Sequence, residues 1–440
     1  MNTLKVTIDP QEVGMSAERL ALIDTYFRDY VDDGRLPGYH VAVARYGQIV
    51  YSSTYGMRDV EAKLPIEQDT VYRIFSMTKP ITSIAIMMLI EDGKLQLTDA
   101  VSKFIPSFAD TKVFVSGTAE NPVTVPMKAP MQVWHLMSHT SGLTYGWNFW
   151  DEVDASYRIA EAKFLAENPN PTLEEVCDRY ASLPLEFEPG TSWNYSVSTD
   201  VLGRVVEVAS GMNLEDFFQT RILKPLGMHD TGFFAPAEKH SRLAALYSFS
   251  DTEAKKTRLE EMGNRWLSRP SMLSGGGGLV STAYDYWQFM QMLENGGVLN
   301  GVRLLSPNSI DQMTLNHLPN NQDITSFGMT LGWDQWYSGL GFGLGFAVVT
   351  DQAKAKTPCS TGTFSWGGMA STAFWIDPVE EMSVMFFTQL MPSTSYEIRP
   401  YLRTLAYGAI TEYRERTNLV RQQRIHVHQP LPQRRCLKQS

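Results

Sequence analysis

The 440-residue chain has only three cysteines, Cys177, Cys359 and Cys436, far apart in sequence. An odd, scattered set builds no disulfide framework and fits a reducing compartment. No apolar run reaches the ~18 residues that a membrane-spanning helix needs, so no span is expected. The opening Met1-Asn2-Thr3-Leu4-Lys5-Val6 lacks the apolar core of a secretory signal, which points to a cytoplasmic location. Basic charge is in deficit, with 38 Lys and Arg against 48 Asp and Glu, a net of −10. The deficit is uneven. Residues 414–440 carry seven basic residues and one acidic, a net of +6, which leaves −16 on the rest. An acidic body offers no footprint for nucleic acid. G-x-S-x-G is absent, which argues against the strained serine turn of an α/β-hydrolase. H-E-x-x-H and cysteine pairs are absent too, so no metal is expected. Gly275-Gly276-Gly277-Gly278 lacks the Gly-Lys-Ser/Thr ending of a phosphate loop and the spacing of a dinucleotide turn. It reads as a tight turn into a helix at Thr282.

Apolar residues make up 43% and aromatics 11%, enough for an ample core in one large unit or two to three domains. The most informative segment is Ser76-Met77-Thr78-Lys79. It sits where the extended run Val71–Phe75 gives way to an apolar helix from Pro80 to Gly93. Pro80 suits only a first turn, and Gly93 suits a C-terminal stop. That helix is apolar all round and should be buried. Residues three apart at a helix start lie on one face, so the Lys79 amine can reach the Ser76 hydroxyl. A serine needs such a base to become a nucleophile. The helix N-terminus favours developing negative charge beside it.

Ser16 to Tyr30 reads as an amphipathic helix with Leu20, Ile23 and Phe27 on one face. His40 to Tyr51 reads as a hairpin turning at Tyr46-Gly47. Strands are expected again only near the end, at 343–350, 362–366, 373–376 and 383–389, with Asp377-Pro378 as the last turn. A helix over 398–413 closes the fold. The middle is expected to be helical, at 131–138, 172–181, 198–209, 214–223 and 282–294. His135 and His139 have the i, i+4 spacing of zinc ligands, but in an apolar stretch they read as packed, hydrogen-bonded side chains. Ser16, Ser138, Ser141 and Ser274 read as capping or turn residues. Tyr145, Trp147, Phe149 and Trp150 form an aromatic cluster, either a lid or the wall of an acyl pocket.

Two more segments join Ser76-Met77-Thr78-Lys79. One is Trp193-Asn194-Tyr195-Ser196-Val197-Ser198, and the other is Thr363-Phe364-Ser365-Trp366-Gly367-Gly368-Met369. Together the three resemble the motifs of class C β-lactamases and, more closely, of family VIII carboxylesterases. His139-Thr140-Ser141-Gly142-Leu143 also resembles a stretch common in that superfamily. The likeness runs from about residue 12 to about residue 410. It implies an α+β, serine β-lactamase-like fold. An antiparallel sheet built from both chain ends would be flanked by helices, with a mainly helical inserted lobe. The expected domains are 1–75 plus 331–413, then 76–330, with 414–440 a basic, disordered tail.

The resemblance makes Ser76 the nucleophile and Lys79 with Tyr195 the base pair. The backbone N–H groups of Ser76 and Met369 would form the oxyanion hole. Trp366, Gly367, Gly368, Tyr145 and Phe149 are the expected substrate-binding residues. No cofactor is implied. The substrate would be a small-molecule ester, and the oligomeric state is open. Acyl transfer requires the Tyr195 pKa to fall below its usual ~10, and Lys79⁺ is the expected cause. Which of Lys79 and Tyr195 is the primary base is open at this level. Two departures count against efficient lactam hydrolysis and favour uncharged esters. Val197 replaces the asparagine that binds a lactam amide, and Trp366 replaces the lysine that meets a lactam carboxylate. The rival readings are a β-lactamase, an acyltransferase, or a binding protein that stays acylated.

Overall fold

The computed structural model describes residues 3–147, 151–250, 255–328 and 337–412. Its centre is an eight-stranded sheet drawn from the two ends of the chain. The N-terminal strands are β1 (Gly38–Arg45), β2 (Gln48–Asp59) and β3 (Leu64–Pro65). The C-terminal ones are β4 (Leu340–Phe342), β5 (Ala347–Val349), β6 (Phe364–Gly367), β7 (Ala373–Asp377) and β8 (Met382–Phe387). The spatial order is β4-β5-β6-β7-β8-β1-β2-β3, antiparallel throughout. The seam between the two ends is the β1–β8 ladder, which runs from His40 opposite Phe387 to Arg45 opposite Met382. β1 turns into β2 through Tyr46 at φ 53° and Gly47 at φ 69°, the left-handed pair that matches strand twist.

Strand alternation divides the core in two. Val41, Val43, Val384 and Phe386 face one way, into a cluster with Leu20, Ile23 and Phe27 of α1 (Ala17–Asp32) and with Leu402 and Ala406 of the last helix (Ile398–Tyr407). Ala42, Ala44, Met385 and Phe387 face the other way, into the large cluster of the helical region. At its centre is α2 (Thr78–Glu91), buried from Thr78 to Leu89, which packs against the helix Ser198–Ser210. Asp92 caps α2, and Gly93 turns away at φ 70°.

The β-lactamase-like α+β fold expected from the motifs is present. Several expected elements change. The run 71–75 is extended only at Tyr72–Arg73, which pair with Ser281 and Val280. The middle of the chain also holds strands: hairpins at 112–117 with 122–126, at 247–250 with 255–258, and at 298–299 with 302–303. These are short, and Pro122 and Pro126 bound one of them, so periodicity over a longer window passes over them. A helix over Glu152–Glu167 was not expected. The expected helix at 131–138 shrinks to Val133–Met137, and 214–223 divides into an α turn and a π turn. The closing helix ends at Tyr407 rather than at 413. The tail 414–440 lies outside the described residues. Among the described residues, no helix is long and apolar enough to cross a membrane.

Candidate active site

Ser76 lies in a 3₁₀ turn, Phe75–Met77, that runs directly into α2. Phe75 has φ 42°, an unusual value for a bulky residue and a mark of local strain. Neighbours hold the turn in place. The Phe75 ring meets Trp266 edge-on at 5.3 Å. Tyr286 donates its hydroxyl to Met77 O at 3.0 Å, and Leu279 N donates to Thr78 Oγ1 at 3.1 Å. The nucleophile candidate therefore sits on a clamped backbone.

Lys79 follows one turn later and is 2% exposed. Its Nζ lies 3.2 Å from Ser76 Oγ, 2.8 Å from Tyr145 OH and 2.7 Å from Gly276 O. A carbonyl can only accept, so one amine proton belongs to Gly276. A second serves Tyr145. A neutral amine then keeps its lone pair for the Ser76 hydroxyl. The Tyr195 ring lies 4.7 Å from the same nitrogen, and its hydroxyl accepts from Trp366 Nε1 at 3.4 Å.

Tyr195 is held by its neighbours in sequence. Asn194 N donates to His139 O at 2.9 Å, and Ser196 N donates to His139 Nδ1 at 3.3 Å. His139 is buried at φ 56°, with its ring 4.9 Å from that of Tyr195. It is the packed, hydrogen-bonded histidine that its sequence context suggests. His135 likewise accepts from Gln132 N at 3.0 Å. Among the described residues, no group of three His, Cys, Asp or Glu side chains could hold a metal.

Electrostatics set Lys79 and Tyr195 apart, a distinction the sequence left open. Burial disfavours the charged form of each. It brings the Lys79 amine down from its usual 10.5 to about 7, with Asp200 pulling back upward. It pushes the Tyr195 phenol up to about 12, with hydrogen bonds to Ser76, Trp366 and Tyr145 opposing the rise. Burial also raises Tyr145 well above its usual 10, which keeps it protonated. The tyrosine pKa therefore does not fall as the sequence reading required, because removing the phenol from water outweighs its neighbours.

The opposite wall is the end of β6. Gly367 pairs with Ala373, and Gly368 N closes a turn on Thr372 O at 2.9 Å. A Cβ on Gly368 would collide with Ile74 O and Thr372 Oγ1, so only glycine lets this strand end approach the Ser76 turn. Ser76, Tyr195, Trp366, Gly367, Gly368 and Met369 share one cleft of about 310 Å³. Trp147 also lines it, whereas the Tyr145 hydroxyl faces Lys79. Phe149 and Trp150 lie outside the described residues. Arg399 and Arg403 of the last helix complete the wall. Arg399 donates to Thr372 O at 3.3 Å and to Gly368 O at 3.5 Å.

The sequence matches the Beta-lactamase family over residues 23–408. The chain belongs to the beta-lactamase family. Within it, the relatives point to the family VIII esterase branch of the serine β-lactamase and penicillin-binding protein superfamily. The family member Esterase EstB of Burkholderia gladioli is 31% identical over 413 residues, covering 89% of this chain and 95% of that one. Protein Rv1367c of Mycobacterium tuberculosis is 35% identical over 375 residues, covering 84% and 90%. Among solved structures, EstCE1, a hydrolase with promiscuous acyltransferase activity, superposes with a TM-score of 0.72 at 27% identity, covering 92% and 99%. The family is one of serine-hydrolase-type enzymes.

Three features of the site escape the sequence reading: Tyr145 on Lys79, Arg399 on the cleft, and the contact of Asp200 with the glycine run. Asp200 carried a signal. It is an acid in the first turn of the helix Ser198–Ser210 and is 4% exposed, where a carboxylate needs a partner.

Proposed function

We propose that the protein is a serine carboxylesterase that cleaves uncharged short- to medium-chain esters through an acyl-Ser76 intermediate. One observation carries this reading: a buried Lys79 amine, brought down to about 7, at 3.2 Å from Ser76 Oγ. Near neutral pH a useful fraction of that amine is unprotonated and can act as a general base. Lys79 is then the primary base, and Tyr195, pushed up to about 12, works as a proton donor.

In acylation, Lys79 takes the Ser76 proton while Oγ bonds to the ester carbonyl carbon. The negative oxygen is received by the N–H groups of Ser76 and Met369, both on the cleft. Each such donor is worth about 3–4 kcal/mol. The ester C–O bond breaks, Tyr195 protonates the leaving alkoxide, and Lys79⁺ returns a proton to Tyr195. In deacylation water replaces the alcohol. Lys79 accepts its proton, the acyl–Oγ bond breaks, and Ser76 is reprotonated. The promiscuous acyltransferase activity of EstCE1 favours one secondary reading, an alcohol in place of that water, which makes the protein an acyltransferase.

The test uses a panel of nitrophenyl esters beside a chromogenic cephalosporin, with and without added alcohol. Ester hydrolysis that is lost in Lys79→Ala supports the reading. A higher kcat/KM on the cephalosporin overturns it in favour of a lactamase. Dominant ester formation in the presence of alcohol favours the transferase.

A further inference from the structure

Lys79 is a buried amine, and Asp200, the carboxylate whose charge acts on it, does not line the cleft. Asp200 stands in the first turn of the helix Ser198–Ser210 and is 4% exposed. No lysine, arginine or histidine forms an ion pair with it among the described residues. Its Oδ1 accepts from Ser274 Oγ at 2.6 Å and from Gly276 N at 3.0 Å. The carbonyl of that same Gly276 accepts from Lys79 Nζ at 2.7 Å. A single glycine thus links the carboxylate at its N–H end with the amine at its C=O end.

The glycine run makes this contact possible. A Cβ on Gly276 would sit 2.8 Å from Asp200 Oδ2, and one on Gly275 would sit 2.7 Å from Thr199 O. Gly275 O also accepts from Thr82 Oγ1 of α2 at 2.7 Å, which ties the turn to the Lys79 helix. Ser274 Oγ accepts from Gly277 N at 3.0 Å and fixes the turn from inside. Gly275–Gly278 is therefore neither a phosphate loop nor a plain connector. It is a spacer without side chains between an acid and a base.

We propose that Asp200 is a positioning residue for Lys79, acting through the Gly276 backbone to orient its amine toward Ser76 and to stabilise its charged form during turnover. The proposal rests on Lys79 being the base. The groups that face Asp200 electrostatically are Lys79 of α2, Tyr145 of the loop before Glu152, Cys177 and Tyr180 of the helix Leu173–Ser182, and Tyr195. Lys79 is the cation among them; Arg204, one turn beyond Asp200 on the same helix, pairs instead with Glu174 at 2.8 Å and with Glu207 at 3.0 Å. Those facing Lys79 are Asp200, His139, Tyr145, Tyr195 and Ser76. His139 is held well below its usual range by burial and by Lys79. Among the described residues, Asp200 is then the anion that opposes burial at the amine. Without it, charging Lys79 in the transition state becomes harder, while the free amine becomes neutral at lower pH.

The test is the pH profile of kcat and kcat/KM for nitrophenyl butyrate in Asp200→Asn, a near-isosteric change that keeps an oxygen for Ser274 and Gly276. The acidic limb should move down by about one pH unit, the scale of an opposite charge a few ångströms away, and the plateau kcat should fall about tenfold or more. Asp200→Glu, with the charge kept but displaced, should leave the limb near its parent position while lowering kcat. A lowered kcat with an unmoved limb in Asp200→Asn would make Asp200 merely structural and overturn the proposal. If Asp200→Asn does not fold, the ¹³Cε shift of Lys79 titrated in Asp200→Ser decides, since that smaller side chain removes the carboxylate but can still hydrogen-bond. A Lys79 titration identical to the parent's would overturn the proposal. Activity surviving in Lys79→Ala would instead sink the assignment of Lys79 as base, a separate failure.

Discussion

The two walls of the cleft are built on different principles. The helical wall is polar and fully engaged. Ser76, Tyr145 and Gly276 surround one lysine nitrogen, and Asp200 stands behind Gly276. The sheet wall is made of Trp366, two glycines and Met369, with arginines from the last helix behind them. In the proposed mechanism the first wall moves protons, and the second sets shape and presents an N–H. Changes on the helical wall should therefore act on kcat for every substrate, as should a shift of the sheet wall's N–H, and changes to the side chains behind the sheet wall should re-rank substrates.

The largest effects belong to the helical wall. Ser76→Ala should reduce kcat by about 10⁴-fold or more, whereas Lys79→Ala and Tyr195→Phe should each cost about 10²–10⁴. Lys79→Ala combined with Tyr195→Phe should fall far short of additive, because the two act as one unit. Steady-state kinetics on folded variants checks this. A Tyr195→Phe enzyme near parent kcat would remove the phenol from the mechanism. On the sheet wall, Gly368→Ala should lower kcat about 10²-fold, the cost of displacing one oxyanion donor. Its Cβ collides with Ile74 O and so shifts Met369. The smallest expected effect is at Arg399. Arg399→Gln should lower kcat/KM for nitrocefin, which carries a carboxylate, about tenfold relative to nitrophenyl butyrate. Equal effects on both substrates would assign the guanidinium to the Gly368–Thr372 turn alone.

The buried base also has a cost in stability, which separates the walls in a second way. Lys79 binds its proton less tightly in the folded state, at about 7, than in the unfolded state, at 10.5. The penalty is therefore complete below pH 7, on the order of 5 kcal/mol, and it fades as pH rises toward 10.5. Lys79→Met should gain melting temperature relative to the parent most at pH 6–7, and the difference should shrink steadily by pH 10. A difference that does not vary with pH would show that the amine is not depressed.

Ser76 and Lys79 were legible in sequence because their relation is local, three residues apart at one helix start. The sheet was legible because Val41, Val43, Val384 and Phe386 alternate with residues of the other face. Tyr195, Trp366 and Met369 needed the family resemblance, since they lie far from Ser76 in sequence. The order of the Lys79 and Tyr195 pKa values was not legible, because desolvation depends on how much protein encloses a group. The role proposed for Asp200 was hidden for a similar reason. Its partner Gly276 comes from a distant turn that looked like a mere connector, and the link is backbone with no side chain to announce it.

The central claim is that a neutral Lys79 activates Ser76. The most direct measurement is the rate at which a fluorophosphonate labels the protein as a function of pH, with the site read by peptide mass. A single label on the Ser76 peptide is expected, with a rate that rises through about pH 7 in the parent and loses that rise in Lys79→Ala. A label on another residue with full loss of activity, or the same pH dependence in both proteins, would contradict it.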